Sequence, residues 1–371
     1  MTKTSKTIAW IIGIIIVILI IVATNRIPKE TSTIKLGFIG PLTGDVTSLG
    51  AAARAGVEIA VSEINAAGGI NGRQIEMIYE DGRCSPVPAN SAAQKLISVD
   101  KVTAIIGGLC SSETSAFVKF AMTSKVPVIS YCSSAPSLSQ SGPYFFRTYP
   151  SDAYQGKFAA EYAYNDLGAR NISILYHISD WGTGIKDVFT KRFTELGGKI
   201  VATEGAPQES REYKTQLSKL KVANPDYLYM PLYTEGARVA IQQAQDLGIK
   251  TKILAADSWD DPKFVSEVTK NADIIYVGST NLANDAFRAK IIAKTGEKES
   301  PICAPQAYDA VNTIIAAIKQ VGTDADKLPD AIRGLNFEGV SGPISFDQNG
   351  DINNVGYVVK KIVNGVAVII K

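Results

Sequence analysis

Residues 103–122 read TAIIGGLCSSETSAFVKFAM, and this stretch contains one complete strand-loop-helix unit. Thr103 to Ile106 is a short apolar run typical of a buried strand, and Ser112 to Met122 reads as a helix. Two glycines, a leucine, a cysteine and a serine separate the two elements. A buried strand that leads directly into a helix is the repeating unit of a parallel sheet, so the fold depends on how often this unit recurs.

The same alternation continues on both sides of this unit. Ahead of it, the apolar run Ile34 to Ile39 leads into a helix over Ala51 to Asn65, whose apolar residues recur on one face. A second series of strands and helices begins after FRTYPSD, near residue 150, and the chain ends in a predicted β-hairpin from Gly356 to Ile370. Two such series predict an α/β protein with two doubly wound parallel-sheet lobes.

Length and composition agree with two lobes and exclude one class of partner. The chain has 371 residues, of which 46% are hydrophobic and 20% are charged, and this is more than one ordinary domain needs. The formal net charge is only +2, and lysine and arginine are mixed with acidic residues throughout. Because no basic stripe is present, we expect no nucleic-acid partner.

The N-terminal segment predicts export. Lys3 and Lys6 precede an apolar run from Ile8 to Ala23, which as a helix would span about 24 Å against about 30 Å of hydrocarbon. The two lysines would remain cytoplasmic, so the rest of the chain is expected to be extracytoplasmic. The segment could stay as a membrane anchor or be cleaved as a signal peptide. A lipid-modified N-terminal cysteine is not expected, because the first cysteine of the sequence is Cys84.

Export favours disulfides among the four cysteines, which allow three pairings. Cys84 and Cys110 each follow the end of a strand-like run, so a bridge between them is easy if those strands are neighbours. Cys132 and Cys303 could form a second pair or could be two small buried hydrophobic residues. Their spacing fits neither a zinc site nor a CxxC redox motif.

Ligands of doubly wound sheets bind beyond the carboxyl ends of the strands, which draws attention to the loops there. These loops are rich in Ser, Thr and Gly, whose hydroxyls and free backbone N–H groups suit a small carboxylate, whereas Asp257 suits a cation. Simpler interpretations also exist for these residues. Ordinary helix capping could explain Ser111, Ser112, Ser133 and Ser134. Trp181 and Tyr233 could be packing residues, and Asp257 could belong to a solvated acidic loop with Asp260 and Asp261.

Six segments together resemble one family, the branched-chain amino-acid-binding proteins of ABC importers, from about Ile34 to the C-terminus. They are GPLTGDVTSLG, AVSEINAAGGINGRQIEMIYEDGRCSP, IIGGLCSSETSA, PVISYCSSAP, YFFRTYPSDAYQG and APQAYDAV. The resemblance implies the type I periplasmic binding fold, with two lobes joined by a three-segment hinge. We expect crossings near 149–152, 278–281 and 340–343. The first lobe would then comprise residues 34–150 and 279–340, and the second 151–278 and 341–371, after an N-terminal segment of residues 1–33.

The resemblance also implies roles for individual residues. Cys84 and Cys110 match a disulfide that fixes the loop before Ser111, the serine that holds the ligand carboxylate. The loop PVISYCSSAP would offer the Cys132 carbonyl to the ligand ammonium, with Ser133 beside it and Ser134 on the carboxylate. Trp181 and Tyr233 match aromatic residues that line the family's ligand cleft. Asp257 stands where the family has a glutamate that binds the ligand ammonium, and Leu49 stands where the family has a tryptophan.

The implied function is an extracytoplasmic solute-binding protein that captures a branched-chain or similar aliphatic amino acid and delivers it to a membrane permease. We expect a monomer with no cofactor and no metal. The alternatives are a binder of urea, short amides or aromatic acids on the same fold, or a ligand-sensing receptor ectodomain. Enzyme activity is not expected, because His177 is the only histidine and no catalytic motif accompanies it.

Overall fold

The computed structural model describes residues 33–268, 273–280 and 283–371. Its first sheet has five strands, all parallel, in the spatial order β2-β1-β3-β4-β5. Each strand is short and the central ones are apolar, as expected for strands covered by helices on both faces. These strands are β1 Ile34–Gly40, β2 Ile75–Asp81, β3 Ala104–Gly107, β4 Val128–Ser130 and β5 Phe145–Arg147.

The second sheet has seven strands in the order β14-β13-β10-β9-β8-β6-β7. The five strands from β6 to β10 pair in parallel, and the C-terminal pair β13 and β14 adds an antiparallel hairpin beside β10. The expected α/β fold and the expected hairpin are confirmed. The strands are β6 Asn171–Ile178, β7 Lys199–Pro207, β8 Tyr227–Met230, β9 Lys252–Ala255, β10 Ile274–Ser279, β13 Tyr357–Val363 and β14 Val366–Ile369. A separate two-stranded ribbon is formed by β11 Asn336–Gly339 and β12 Gly342–Ser345.

Helices connect the strands of both sheets, as the alternation of the sequence predicts. The helices are α1 Thr47–Ala66, α2 Pro86–Gln94, α3 Ser111–Thr123, α4 Asp152–Glu161, α5 Asp180–Glu195, α6 Lys214–Val222, α7 Thr234–Asp246, α8 Pro262–Glu267, α9 Asp285–Thr295, α10 Ala304–Val321 and α11 Leu328–Arg333. The π-helical turns Lys95–Asp100 and Tyr162–Asp166 extend α2 and α4, and 3₁₀ turns occupy Pro136–Gln140 and Asp257–Trp259.

Helix α5 begins earlier than its apolar pattern predicts. The pattern places the helix over Ile185 to Leu196, whereas the structure starts it at Asp180. Ser179 supplies the N-cap, because its hydroxyl oxygen accepts a hydrogen bond from the Gly182 N–H at 3.1 Å. As a result Trp181 lies in the first helical turn rather than in a loop.

The segment after β12 packs against the first sheet and not against the second. The Phe346 ring packs edge-on against Phe146 with 5.5 Å between centroids, and the Asp351 carboxylate pairs with buried Arg147 at 2.7 Å. The chain enters the second sheet only at Tyr357. Residues 341–352, which the sequence predicts to belong to the second lobe, thus include side chains that pack against the first sheet.

Both cysteine pairs form disulfides in this fold. The expected bridge joins Cys84 to Cys110 with Cα atoms 5.2 Å apart, and it connects the loop after β2 to the start of α3. The open question about the other two is answered by a second bridge between Cys132 and Cys303, with Cα atoms 5.4 Å apart. It ties the loop after β4 to the N-terminus of α10.

The predicted export segment is not part of the described structure. Ile8 to Ala23 lies outside the described residues. Among the residues that the structure does describe, no helix combines the length and apolar character needed to span a membrane.

Candidate functional site

Most of the predicted ligand residues lie where strands of the two sheets end. Ser111 opens α3 just beyond β3, and the serine pair 133–134 follows β4. In the second sheet, Trp181 follows β6, Tyr233 follows β8 and Asp257 follows β9. All of these side chains are buried. The carboxyl edges of both sheets thus contribute to one enclosed region.

Glu113, rather than a serine, caps helix α3. Its carboxylate oxygens accept hydrogen bonds from the backbone N–H groups of Cys84, Leu109 and Cys110 at 2.9–3.1 Å. The Ser111 hydroxyl is therefore not a capping group, and its oxygen accepts instead from the Ala135 N–H at 3.1 Å. The capping interpretation of Ser111 is wrong, and the hydroxyl joins the loops after β3 and β4.

The two serines after β4 differ in direction. The Ser133 hydroxyl packs inward, 2.7 Å from the Thr114 hydroxyl and within hydrogen-bonding distance of the Gly108 and Leu109 carbonyls. These contacts stabilise the loop itself. The Ser134 hydroxyl instead donates to the Asp152 carboxylate at 2.8 Å, at the start of α4.

A buried arginine, Arg147, holds the loop of residues 133–135, the serine loop after β4, in place. The Arg147 guanidinium donates to the carbonyls of Ser133 and Ala135, to the Ser139 hydroxyl and to the Asp351 carboxylate. Because an arginine fork holds four partners in one plane, the loop 133–135 has little freedom. The disulfide at Cys132 restrains the same loop from its other end.

Aromatic side chains form the wall contributed by the second sheet. The Trp181 and Tyr233 rings stack with their centroids 4.5 Å apart and their planes 22° from parallel. Both rings belong to one continuous apolar cluster with Leu49 from the first turn of α1. Leu49 is thus an apolar residue of the cluster that contains both rings.

His177 supports this wall from behind. Its Nδ1 accepts from the Tyr233 N–H and its Nε2 faces the Tyr213 hydroxyl, both at 3.2 Å, so the ring carries its proton on Nε2. The Tyr213 hydroxyl donates in turn to the Ser210 carbonyl. Burial lowers the pKa of His177 to about 3, so it stays neutral at physiological pH. Both ring nitrogens are occupied, and neither faces a serine hydroxyl as a hydrolase would require.

Asp257 is deeply buried and held by two neighbours. The Tyr149 hydroxyl donates to its carboxylate at 2.6 Å, and its backbone N–H donates to the Gln155 side-chain oxygen at 3.3 Å. Loss of hydration raises the pKa of Asp257 to about 6, in spite of these hydrogen bonds. The solvated-loop interpretation of Asp257 is wrong. Asp260 is instead paired with Lys360 at 2.6 Å and Asp261 caps α8, so neither shares the position of Asp257.

The first turn of α4 connects the two sides of the region. Asp152 bonds Ser134 after the first sheet, and Gln155, three residues later on the same helix face, bonds Asp257 after the second. The buried Asp152 carboxyl feels the nearby Asp257 charge, and loss of hydration together with that charge raises its pKa well above the usual range.

Three polar contacts also connect the parts of the chain that carry the two sheets. Arg211 forms an ion pair with Asp45 at 2.5 Å, and the Gln208 amide donates to the Cys84 carbonyl at 3.1 Å. A longer bond of 3.4 Å runs from the Asp180 N–H to the Ser112 hydroxyl.

Sequence reasoning missed the residues of FRTYPSDAYQG that support the site, although it quoted the segment. Arg147, Tyr149, Asp152 and Gln155 are all buried there. The signal available was position: the segment follows β5, so its residues lie at the carboxyl edge of the first sheet. Within the described part of the chain, no group of three His, Cys, Asp or Glu residues is arranged to hold a metal ion.

Comparison with known proteins places this arrangement among solute binders. A family model described as "Periplasmic binding protein" matches residues 33–365. A leucine-, isoleucine-, valine-, threonine- and alanine-binding protein of Pseudomonas aeruginosa is 29% identical over 337 residues, which cover 88% of this chain and 89% of that protein.

Two solved structures show the same architecture. A leucine-binding protein of Thermotoga maritima superposes with a TM-score of 0.83 at 28% identity, covering 91% of this chain and 98% of that one. A solute-binding protein from R. palustris, solved with benzoate, reaches a TM-score of 0.81 at 22% identity, covering 91% of this chain and 96% of that one. The second likeness concerns the fold alone.

Proposed function

The chain belongs to the periplasmic binding protein family, and from that premise we propose that it captures a branched-chain or similar aliphatic amino acid and delivers it to an ABC-importer permease. One observation carries the proposal. The first turn of α4 links Ser134, from the loop after β4, to Asp257, from the loop after β9, inside a buried region. Groups suited to the two ends of a zwitterion therefore meet in one place.

Each part of an aliphatic amino acid has a counterpart in this region. The Ser111 hydroxyl, the Ser134 N–H and the N–H groups at the start of α3 suit the carboxylate, because a helix N-terminus favours an anion. Asp257 and the Cys132 carbonyl suit the ammonium. The stacked Trp181 and Tyr233 rings, with Leu49, offer apolar surface to the side chain. The binding described for the Pseudomonas and Thermotoga relatives supports the same ligand class.

Capture would occur by closure of two lobes around the ligand. We propose lobes of residues 34–150 with 283–352 and 151–280 with 357–371, which moves the third crossing from 340–343 to 353–356. Ligand stabilises the closed form because it contacts both lobes only when they are together. The contacts between Arg211 and Asp45 and between Gln208 and Cys84 would belong to that closed form.

The proposed setting is extracytoplasmic. The binder would act as a monomer without a cofactor, either anchored through Ile8 to Ala23 or released after cleavage of that segment. In the closed form the two lobes have one fixed relative orientation. The permease could recognise this orientation and so distinguish loaded from empty protein.

Calorimetric titration tests the proposal. We would purify the full-length protein in mild detergent, remove carried-over ligand by partial unfolding and refolding, and titrate the twenty amino acids, urea, acetamide and benzoate. We expect one aliphatic group to bind, and Asp257→Ala to weaken that binding by more than about 100-fold, because the ligand ammonium loses a buried partner.

The exposed Asp187 of α5 provides the control, since Asp187→Ala removes a carboxylate outside the buried region. Binding of urea, acetamide or benzoate without any amino acid, unaffected by Asp257→Ala, would contradict the proposed ligand and leave the fold assignment intact.

A further inference from the structure

Buried hydrogen bonds connect the aromatic wall of the candidate site to a segment that lies outside it. The Tyr233 N–H donates to Nδ1 of His177, and Nε2 of His177 lies 3.2 Å from the Tyr213 hydroxyl. The Tyr213 hydroxyl donates in turn to the Ser210 carbonyl at 3.1 Å. The His177 and Tyr213 side chains are buried, so these bonds are largely shielded from water. The backbone of the wall is therefore tied to residues 210–213.

Residues 208–213, which we call the closing segment, also carry two of the contacts between the proposed lobes. Arg211 pairs with Asp45 at 2.5 Å, and the Gln208 amide donates to the Cys84 carbonyl at 3.1 Å. Asp45 and Cys84 belong to the first proposed lobe, whereas the closing segment belongs to the second. One short segment therefore contacts both the opposite lobe and the histidine behind the wall.

The first turn of α7 packs directly on the contact between His177 and Tyr213. A Cβ atom added to Gly236 would lie 2.6 Å from His177 Nε2 and 2.6 Å from the Tyr213 hydroxyl oxygen. Both distances are well inside van der Waals contact, so a side chain at this position would force the pair apart. Glycine at position 236 leaves room for the connection to form.

Helix α7 holds the closing segment by its backbone as well. The Gln243 side-chain oxygen accepts from the Tyr213 N–H at 2.7 Å, and its nitrogen donates to the Arg211 carbonyl at 3.0 Å. Because α7 begins directly after Tyr233, these bonds fix the closing segment to the helix that starts at the wall. The position of Arg211 is therefore set relative to the wall.

Histidine suits this connection because a neutral imidazole has one acceptor nitrogen and one donor nitrogen. Loss of hydration lowers the pKa of His177 to about 3, so the ring keeps both roles at physiological pH. An asparagine at this position would supply an acceptor for the Tyr233 N–H, but its shorter side chain would not reach Tyr213.

We propose that His177 is a positioning residue that couples the aromatic wall to closure of the lobes: through Tyr213 it fixes the closing segment, so that Arg211 is already placed to pair with Asp45. This inference rests on the proposed function and adds the route by which the wall and closure communicate. An exposed ion pair contributes little when both side chains must be ordered as it forms. A segment that is fixed beforehand loses less conformational freedom, so the pair contributes more to the closed form.

A double-mutant cycle measures this coupling. We would determine the affinity for the amino acid identified by titration with full-length wild type, Asp45→Asn, Tyr213→Phe and the combined variant. Tyr213→Phe keeps the buried ring and removes only the hydroxyl that contacts His177. We expect Asp45→Asn to weaken binding about two- to fivefold in the wild type, but less than about 1.5-fold in the presence of Tyr213→Phe. A purely structural role of Tyr213 would leave the effect of Asp45→Asn unchanged.

His177→Asn interrupts the connection at its other end. It should reduce the effect of Asp45→Asn as Tyr213→Phe does, and it replaces that variant if Tyr213→Phe does not fold. Tyr308→Phe is the matched control, because it removes a tyrosine hydroxyl that donates to Glu63 within the first proposed lobe. In that background Asp45→Asn should keep its full effect.

The outcomes separate this inference from the proposed function. If the effects of Asp45→Asn and Tyr213→Phe simply add, or if Asp45→Asn has no effect in the wild type, the coupling role of His177 is overturned and the proposed function remains. Loss of the Asp45→Asn effect in the Tyr308→Phe background would overturn it as well. A wild-type protein that binds no amino acid would contradict the proposed function itself.

Discussion

At the scale of single residues, the buried acids Asp152 and Asp257 make the folding stability depend on pH. The pKa values of Asp152 and Asp257 are raised above their ordinary values, chiefly by loss of hydration. A group whose pKa is raised by folding binds protons more readily in the folded state than in the unfolded state. Folding stability from such a group is therefore greatest at low pH and falls as pH rises.

This linkage predicts a pH-dependent effect of Asp152→Asn on the ligand-free protein. At high pH the variant should be more stable than the wild type by about 1–3 kcal/mol, because it removes a charge that loses its hydration on folding. The difference should shrink as the pH falls, because protonation of the wild-type Asp152 carboxyl removes that charge. Thermal unfolding of both proteins between pH 5 and 9 measures it, and taking the difference cancels the contributions of groups that do not interact with Asp152, such as His177.

A difference that stayed constant across this pH range would contradict the prediction. It would mean that Asp152 does not change its protonation in the ligand-free protein. The Tyr229, Tyr233 and Tyr357 hydroxyls near this carboxyl stay protonated throughout, because burial raises their pKa values well above the usual range.

The residues of the site divide into those that sequence reasoning could assign and those it could not. Ser111 and Asp257 follow apolar strands and carry groups suited to a zwitterion, so position and chemistry together identify them. Asp152 was missed because its importance comes from burial beside Asp257, which is 105 positions away in the sequence. A pattern of a few consecutive residues cannot show that two positions so far apart in the sequence lie close together in space.

At the scale of elements, periodicity predicted the strands and helices up to β9, apart from β5, and the C-terminal hairpin, whereas β10 and helices α8 to α11 were not assigned. Two differences have local causes. The start of α5 was placed five residues too late because Ser179 and Asp180 are polar, and an apolar pattern does not register a capped first turn. The ribbon of β11 and β12 escaped notice because only one of its eight residues, Ile344, is fully buried.

The disulfides yield a prediction about these elements. The Cys84–Cys110 bridge spans 26 residues and the Cys132–Cys303 bridge spans 171, so the chain-entropy model assigns them about 3.5 and about 5 kcal/mol. Replacing both cysteines of a pair by alanine should therefore reduce the free energy of unfolding more for the second pair. Urea titration of the two double variants gives the comparison.

Ligand affinity should respond differently from stability in the same two variants. The loop 133–135 keeps its bonds to Arg147 and Ser111 without the Cys132–Cys303 bridge, so we expect affinity within about tenfold of wild type. A much larger loss of affinity would mean that the bridge, rather than the arginine, positions this loop.

At the scale of the whole molecule, the Arg211–Asp45 ion pair connects the proposed lobes. The pair is partly exposed, so it should contribute less than about 1 kcal/mol to the closed form. We expect Asp45→Asn to weaken ligand binding by about two- to fivefold. The ligand-free variant should also be more extended in small-angle X-ray scattering, because fewer contacts hold the lobes together.

Salt provides a check on this prediction, since raising ionic strength should weaken wild-type binding and leave Asp45→Asn less affected. The Lys219–Glu204 pair lies within the second sheet unit and serves as the control. If Glu204→Gln had the same effect as Asp45→Asn, the contribution of the Arg211–Asp45 pair would not be specific to closure.

The Cys132–Cys303 bridge has a consequence for how the protein is made. Cys303 lies 171 residues after Cys132, so the ribosome has produced most of the chain before the two thiols can meet. Until then the serine loop after β4 lacks one of its restraints, and α10 is not yet available to complete the first unit. A newly made chain would therefore complete its first sheet unit only when synthesis is nearly finished.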